Sequence, residues 1–121
     1  MLSRGIRGAT TLKEDSAQEM SEVVVELLTA MLTENEVSID HISSILFTAT
    51  PDIHSIFPAA AARELELSQV PLICAQELEI TGALKMAIRV LMTVNTERSA
   101  SEISHIYLRG ATGLRPDLKN A

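Results

Sequence analysis

Across residues 16–34, Met20, Val23, Val24, Leu27, Leu28, Met31 and Leu32 recur at spacings of three and four. This is one face of an amphipathic helix. It constrains the fold more than any other segment, because such a stripe must be buried against a second layer. Asp15 or Ser16 can cap the helix, and Glu19 stands where a capping box needs it. A second stripe begins at Gly82, where Leu84, Ala87, Ile88, Leu91 and Met92 predict another helix. A shorter helix is predicted over residues 58–65, with Pro58 in its first turn. Strands are predicted over residues 3–10, 44–48, 70–76 and 104–109. The order β-α-β-α-β-α-β reads as an α/β or α+β sandwich, with helices laid on a small sheet.

No Pro/Gly/Ser-rich linker interrupts the 121 residues, so a single domain over residues 1–121 is expected. The net charge of -6 argues against nucleic acid as a partner. Seven of the ten basic residues are nevertheless arginine, the side chain suited to bidentate carboxylate or phosphate recognition. Cys74 is the only cysteine, which excludes an internal disulfide and points to a reducing cytoplasm. No apolar run is long enough to span a membrane. Phe47, Phe57 and Tyr107 are the only aromatic residues, so the core is thin and oligomerisation would enlarge it.

His41, His54 and His105 are scattered without metal-ligand spacing and read as surface or loop residues. No phosphate loop, dinucleotide fingerprint or nucleophile elbow is present. Cys74 has no base near it in sequence and reads as a small hydrophobe on a strand. An enzyme of this sequence is therefore expected to lack a nucleophile, a metal and a cofactor. What remains is arginine beside polar strand ends. Arg4 and Arg7 lie in "RGIRGATT" with Gly5 and Gly8, as if something planar and anionic approached that backbone. Arg89 flanks the second apolar stripe, and Glu77 sits just past the 70–76 strand. Either Arg89 reaches across the sheet's rim with its stem on apolar surface, or it forms a structural ion pair with Glu77. Arg63 reads as a solvated helix residue paired with Glu64 or Glu66. Tyr107 is either half-buried core or a donor to a ligand carboxylate.

The segments "RGIRGATT", "TATPDIHSIFPA", "CAQE", "IRVLMT", "IYLRGA" and "LRPDL" together resemble, in order and spacing, the monofunctional chorismate mutases of the AroH class. The resemblance runs from Arg4 to Leu118. It implies an α+β fold with a small mixed β-sheet packed with helices, assembled as a homotrimer around a pseudo-α/β-barrel, with active sites between subunits. It implies the Claisen rearrangement of chorismate to prephenate in phenylalanine and tyrosine biosynthesis, by electrostatic stabilisation and conformational restriction without covalent catalysis or a cofactor. Residue by residue, Arg89 matches the cation beside the breaking ether bond. Arg7 and Tyr107 match donors to the side-chain carboxylate, and Glu77 matches the acceptor for the ring hydroxyl. The Cys74 backbone or thiol falls near Glu77, Phe57 and Ala59 match the pocket wall, and Ile73 is among the substrate-binding residues. Arg63 and Arg115 stand at the mouth, and Leu114 belongs to a flexible tail, about residues 113–121, that covers the ligand. For Arg4 an ion pair is expected, across the trimer interface. The rival reading is a non-catalytic trimeric module that binds a small carboxylate metabolite.

Two positions depart from the family pattern. Ala60 stands where some members have lysine, and Gly113 where members can carry a bulkier apolar residue. Both changes weaken the expected clamp on substrate and raise KM. Gly113→Val is therefore expected to lower KM with kcat little changed. An unaltered KM in saturation kinetics would remove that role from Gly113.

Overall fold

In the computed structural model, which describes residues 1–114, the first apolar stripe forms helix α1 over Ala17–Glu34. Met20, Val23, Val24, Leu27, Leu28 and Met31 are all buried on its inner face. Each buried side chain of this size stabilises by about 1.5–3 kcal/mol. Ser16 is the N-cap, accepting from the Glu19 amide at 3.1 Å. The expected capping box is only half made. Glu19 accepts instead from the amides of Lys13 at 2.7 Å and Glu14 at 3.1 Å, tying the preceding loop to the first turn.

Helix α1 covers one face of a sheet made from β1 (Leu2–Thr11), β2 (Ile42–Ala49), β3 (Leu72–Gln76), β4 (Ala87–Thr96) and β5 (Ile106–Tyr107). The strand order is β3-β2-β4-β1-β5. β4 runs antiparallel to both β1 and β2, while β3 and β5 add parallel edges, so the sheet is mixed. The second α-helix, α2, spans only Pro58–Ala62 and continues as a 3₁₀ turn over Arg63–Leu65. Among the described residues no helix is long and apolar enough to cross a membrane.

One element differs from expectation. The stripe from Gly82 is not a helix: residues 77–86 form a loop, with Gly82 at φ 84°, and β4 follows. The reason is visible in the burial. Ile88, Val90, Met92 and Val94 are buried, whereas Arg89, Leu91 and Asn95 are exposed, a period of two. Leu91 and Met92 beside Ile88 imitate a helical repeat because Leu91 is an apolar residue on the face away from α1. The element order is therefore β-α-β-α-β-β-β, with β4 at the centre.

The glycines of "RGIRGATT" also divide differently. A Cβ on Gly8 would lie 2.5 Å from Met31 Sδ and 3.2 Å from Leu27 Cδ1. Gly8 therefore admits α1 to the sheet, and the close approach is by the helix rather than by a ligand. Arg4 donates from Nε to the Arg98 carbonyl at 3.1 Å, a contact within the chain.

The loop before α2 is pinned to the start of α1. Asp15 accepts from the amides of His54 at 2.7 Å and Ser55 at 3.0 Å. Its carboxyl is held below the ordinary aspartate range, first by the Ser55 side chain, which outweighs the opposing effect of burial, with the His54 and Ser55 amides adding to it.

Two outcomes follow from this packing. Gly8→Val is expected to destabilise the fold by about 1–3 kcal/mol through overpacking against α1, measured by urea denaturation. For Asp15 the folded pKa is the lower one, so its clamp stabilises above the unfolded value and is lost as pH falls through the folded value. The stability gap between wild type and Asp15→Asn should be full at neutral pH and fade below about pH 4. A gap that persisted unchanged to about pH 2 would show that the carboxylate does not hold the loop.

Candidate active site

β4 alternates, so Arg89 projects to the side of the sheet away from α1, while Ile88 and Val90 face the helix. The register sets its neighbours. Thr48 of β2 and Ala9 of β1 lie opposite Arg89, and the row extends to Ala75 of β3 and Tyr107 of β5. One row on, Leu91 lies opposite Leu46 and Arg7, and Leu46 opposite Ile73. Arg89 and Arg7 thus occupy neighbouring rows on adjacent strands.

Glu77 leaves the end of β3, where its amide donates to the Ala49 carbonyl at 2.9 Å. Its carboxylate reaches over β2 to Arg89, with Nε 3.0 Å from Oε1. Thr48 Oγ1 donates to the same oxygen at 2.9 Å. Of the two readings open to the sequence, the ion pair is therefore formed. It does not exclude the other, because the pair engages Arg89 through Nε and the guanidinium carries two further nitrogens. The Arg89 side chain is 46% exposed and that of Glu77 27% exposed, so the pair is open to a ligand.

Arg7 is half-buried, and its backbone amide donates to His105 Nδ1 at 2.9 Å. That nitrogen accepts, so the ring proton of the neutral imidazole sits on Nε2. His105 lies in the loop just before β5, as expected, and this bond ties that loop to β1. Tyr107 is half-buried at the sheet edge and lines a cleft with Ala30 and Glu34 of α1.

A separate cleft of about 520 Å³ lies along the other edge of the sheet, lined by Phe57, Pro58, Cys74, Ala75, Gln76 and the loop from Ala49 to Ile56. Phe57, the N-cap of α2, is 71% exposed, and Ile73 is 65% exposed beside the half-buried Cys74. Ala59 is half-buried in α2. Arg63 is exposed, and Glu64 accepts from the Ser21 hydroxyl at 2.7 Å, binding α2 to α1 rather than pairing with Arg63. Arg7, Glu77, Arg89 and Tyr107 do not line this cleft. Within one chain, then, the expected site falls into two halves. One is the charged group on the sheet face, and the other is the apolar wall around Phe57 and Cys74. Leu114 is half-buried, its amide bonded to the Ala111 carbonyl at 3.1 Å, and Arg115 lies outside the described residues.

Sequence reasoning missed Thr48, whose hydroxyl shares Glu77 with Arg89. The pattern "TATPD" was its only signal, since an alternating strand that ends on threonines before a proline turn carries polar groups to the rim.

Residues 3–118 match the family model for chorismate mutase type I. The chain is 45% identical to chorismate mutase AroH of Bacillus subtilis over 119 residues, 98% of this chain and 94% of that protein. It is 43% identical to chorismate mutase AroH of Thermus thermophilus, covering 98% of each chain. A chorismate mutase structure from Clostridium thermocellum superposes with a TM-score of 0.86 at 41% identity, covering 88% of this chain and 96% of that one. A family match over nearly the whole length, on a sheet that sets an arginine against a carboxylate at its open face, makes this chain a member of the type I chorismate mutase family.

Proposed function

We propose that this member of the chorismate mutase family rearranges chorismate to prephenate by restraining the folded substrate and stabilising its polar transition state, with Arg89 as the decisive cation. The observation that carries the reading is the Arg89–Glu77 pair at 3.0 Å, held on strands and half open to solvent. In the rearrangement the ether C–O bond breaks as a C–C bond forms, and no proton moves. Catalysis therefore asks for two things only. The enolpyruvyl arm must be held over the ring, and the negative charge developing on the ether oxygen must meet a fixed cation.

In this reading Arg89 supplies that cation and also clamps the side-chain carboxylate. Arg7 and Tyr107 donate to the same carboxylate, and Glu77 accepts from the ring hydroxyl. Because both Glu77 and Arg89 are anchored through the sheet, little reorganisation is needed when substrate arrives. Phe57, Ala59, Ile73 and Cys74 form the apolar wall, Arg63 and Arg115 meet the ring carboxylate at the mouth, and Leu114 covers the ligand.

The separation of the two halves within one chain favours a site assembled between subunits of a homotrimer. Exposed Leu46, Ile73 and Leu91, which form one cross-strand row, favour the same face as the surface between copies. The chain would act as one domain in the cytoplasm, within aromatic amino-acid biosynthesis.

The test follows the loss of chorismate's diene absorbance. Arg89→Ala should remove about 3 kcal/mol or more of transition-state stabilisation while the oligomer survives. Arg89→Lys should also lose most of kcat, because a point charge cannot both clamp a carboxylate and reach the ether oxygen. No absorbance loss with folded wild-type protein would overturn the assignment. Near-normal kcat in Arg89→Lys would overturn the dual role.

A further inference from the structure

The segment Ala49–Asp52 grips both partners of the charged pair at their backbones. Glu77 is anchored by its amide on the Ala49 carbonyl at 2.9 Å. Thr50 holds Ala87, two residues before Arg89, in three ways. Its amide donates to the Ala87 carbonyl at 3.0 Å, and its Oγ1 accepts from the Ala87 amide at 3.0 Å and lies 3.5 Å from the Ala87 carbonyl. The Thr50 hydroxyl in turn donates to Asp52 Oδ1 at 2.5 Å, and Asp52 Oδ2 accepts from the Met86 amide at 2.9 Å. Met86 has φ 52°, a left-handed conformation that a non-glycine residue adopts only where its surroundings hold it. Its carbonyl accepts from Leu12 at 2.8 Å, closing the turn on both sides.

Thr50 is only 8% exposed, yet it and Asp52 bind no side chain of the charged pair; their bonds go to the backbone that starts β4. β2 and β4 already pair from Ile42 to Ala49, so the ladder would persist without them. What the bridge adds is a fixed beginning for β4 directly below Arg89, at the point where an unusual turn would otherwise be free to relax.

We propose that Asp52 and Thr50 are positioning residues for the rearrangement, fixing the start of β4 so that Arg89 is held in register with Glu77. The inference rests on the reading of Arg89 as the decisive cation. Burial opposes ionisation of Asp52, but the bonds from the Thr50 hydroxyl and the Met86 amide outweigh it and keep the carboxyl below the ordinary aspartate range. The acceptor is therefore fully charged at neutral pH.

The experiment measures kcat and KM, by the diene assay, well below each variant's Tm, for Asp52→Ala and Asp52→Asn beside wild type and Arg89→Ala. Asp52→Ala is expected to lose about tenfold or more in kcat, with KM within about threefold of wild type. Asp52→Asn, which keeps one acceptor oxygen, should recover most of that loss. A merely structural role would lower Tm and leave the kcat of the folded enzyme unchanged, and that result would overturn the proposal. Equal losses in the Ala and Asn variants would overturn the acceptor role. Should Asp52→Ala fail to fold, Thr50→Val and Thr50→Ser make the same comparison. The valine keeps the shape without the hydroxyl and is expected to lose kcat, while serine retains it; equal kcat in the two would overturn the proposal. The underlying reading fails differently, through an inactive wild type or an active Arg89→Ala, and neither result depends on Asp52.

Discussion

The two-sided pairing of β4 is the constraint on which the rest of the molecule depends. Its ladder with β1 runs from Ala87 to Thr96 and its ladder with β2 covers most of the same residues. Its inner residues Ile88, Val90, Met92 and Val94 meet the stripe of α1, and its outer residues include Arg89. Because side chains alternate with a period of two, the register that buries the core also turns Arg89 outward. A slip by one residue would bury the guanidinium beneath α1 and expose Ile88. Packing and chemistry are set by the same hydrogen bonds.

The reaction explains why such a rigid arrangement suits this chemistry. A proton transfer tolerates some looseness, since water can complete a relay. A pericyclic rearrangement has no such intermediary, and its barrier responds only to how the substrate is folded and what charge stands beside the breaking bond. In the proposed reading, a cation on a central strand joined at 3.0 Å to a carboxylate at the end of an edge strand meets that demand. The loop carrying Phe57 is held more locally, by Asp15 and the turn at Thr50.

Much of this was legible in the residues. The α1 stripe, its Ser16 cap, four of the strands and the short helix at Pro58 were all visible in spacing and breakers, and the charged pair was one of two readings for Arg89. The central strand was not. Leu91, apolar on an outward face, spoiled its alternation, and a residue of that kind follows two rules at once. Gly8 misled for a related reason: a glycine that admits a helix and one that admits a ligand are the same letter. Thr48, Thr50 and Asp52 left little signal because most of their partners are backbone or distant side chains, fixed only once β2 and β4 lie together.

The misreading of β4 has its origin on the outer face of the sheet. Each outward apolar residue on the sheet face (Leu46, Ile73 and Leu91) violates the patterning of a sheet meant to meet water. Sequence rules treat a chain as though its own core were the only destination for apolar surface. When a second destination exists, the pattern carries two superimposed periodicities, and the strand that serves both is the hardest to read. β4 is that strand. Its inner residues belong to the chain's own core, and its outer ones to the face that carries Arg89, so the element least apparent in the sequence is the one that joins the core to the proposed site.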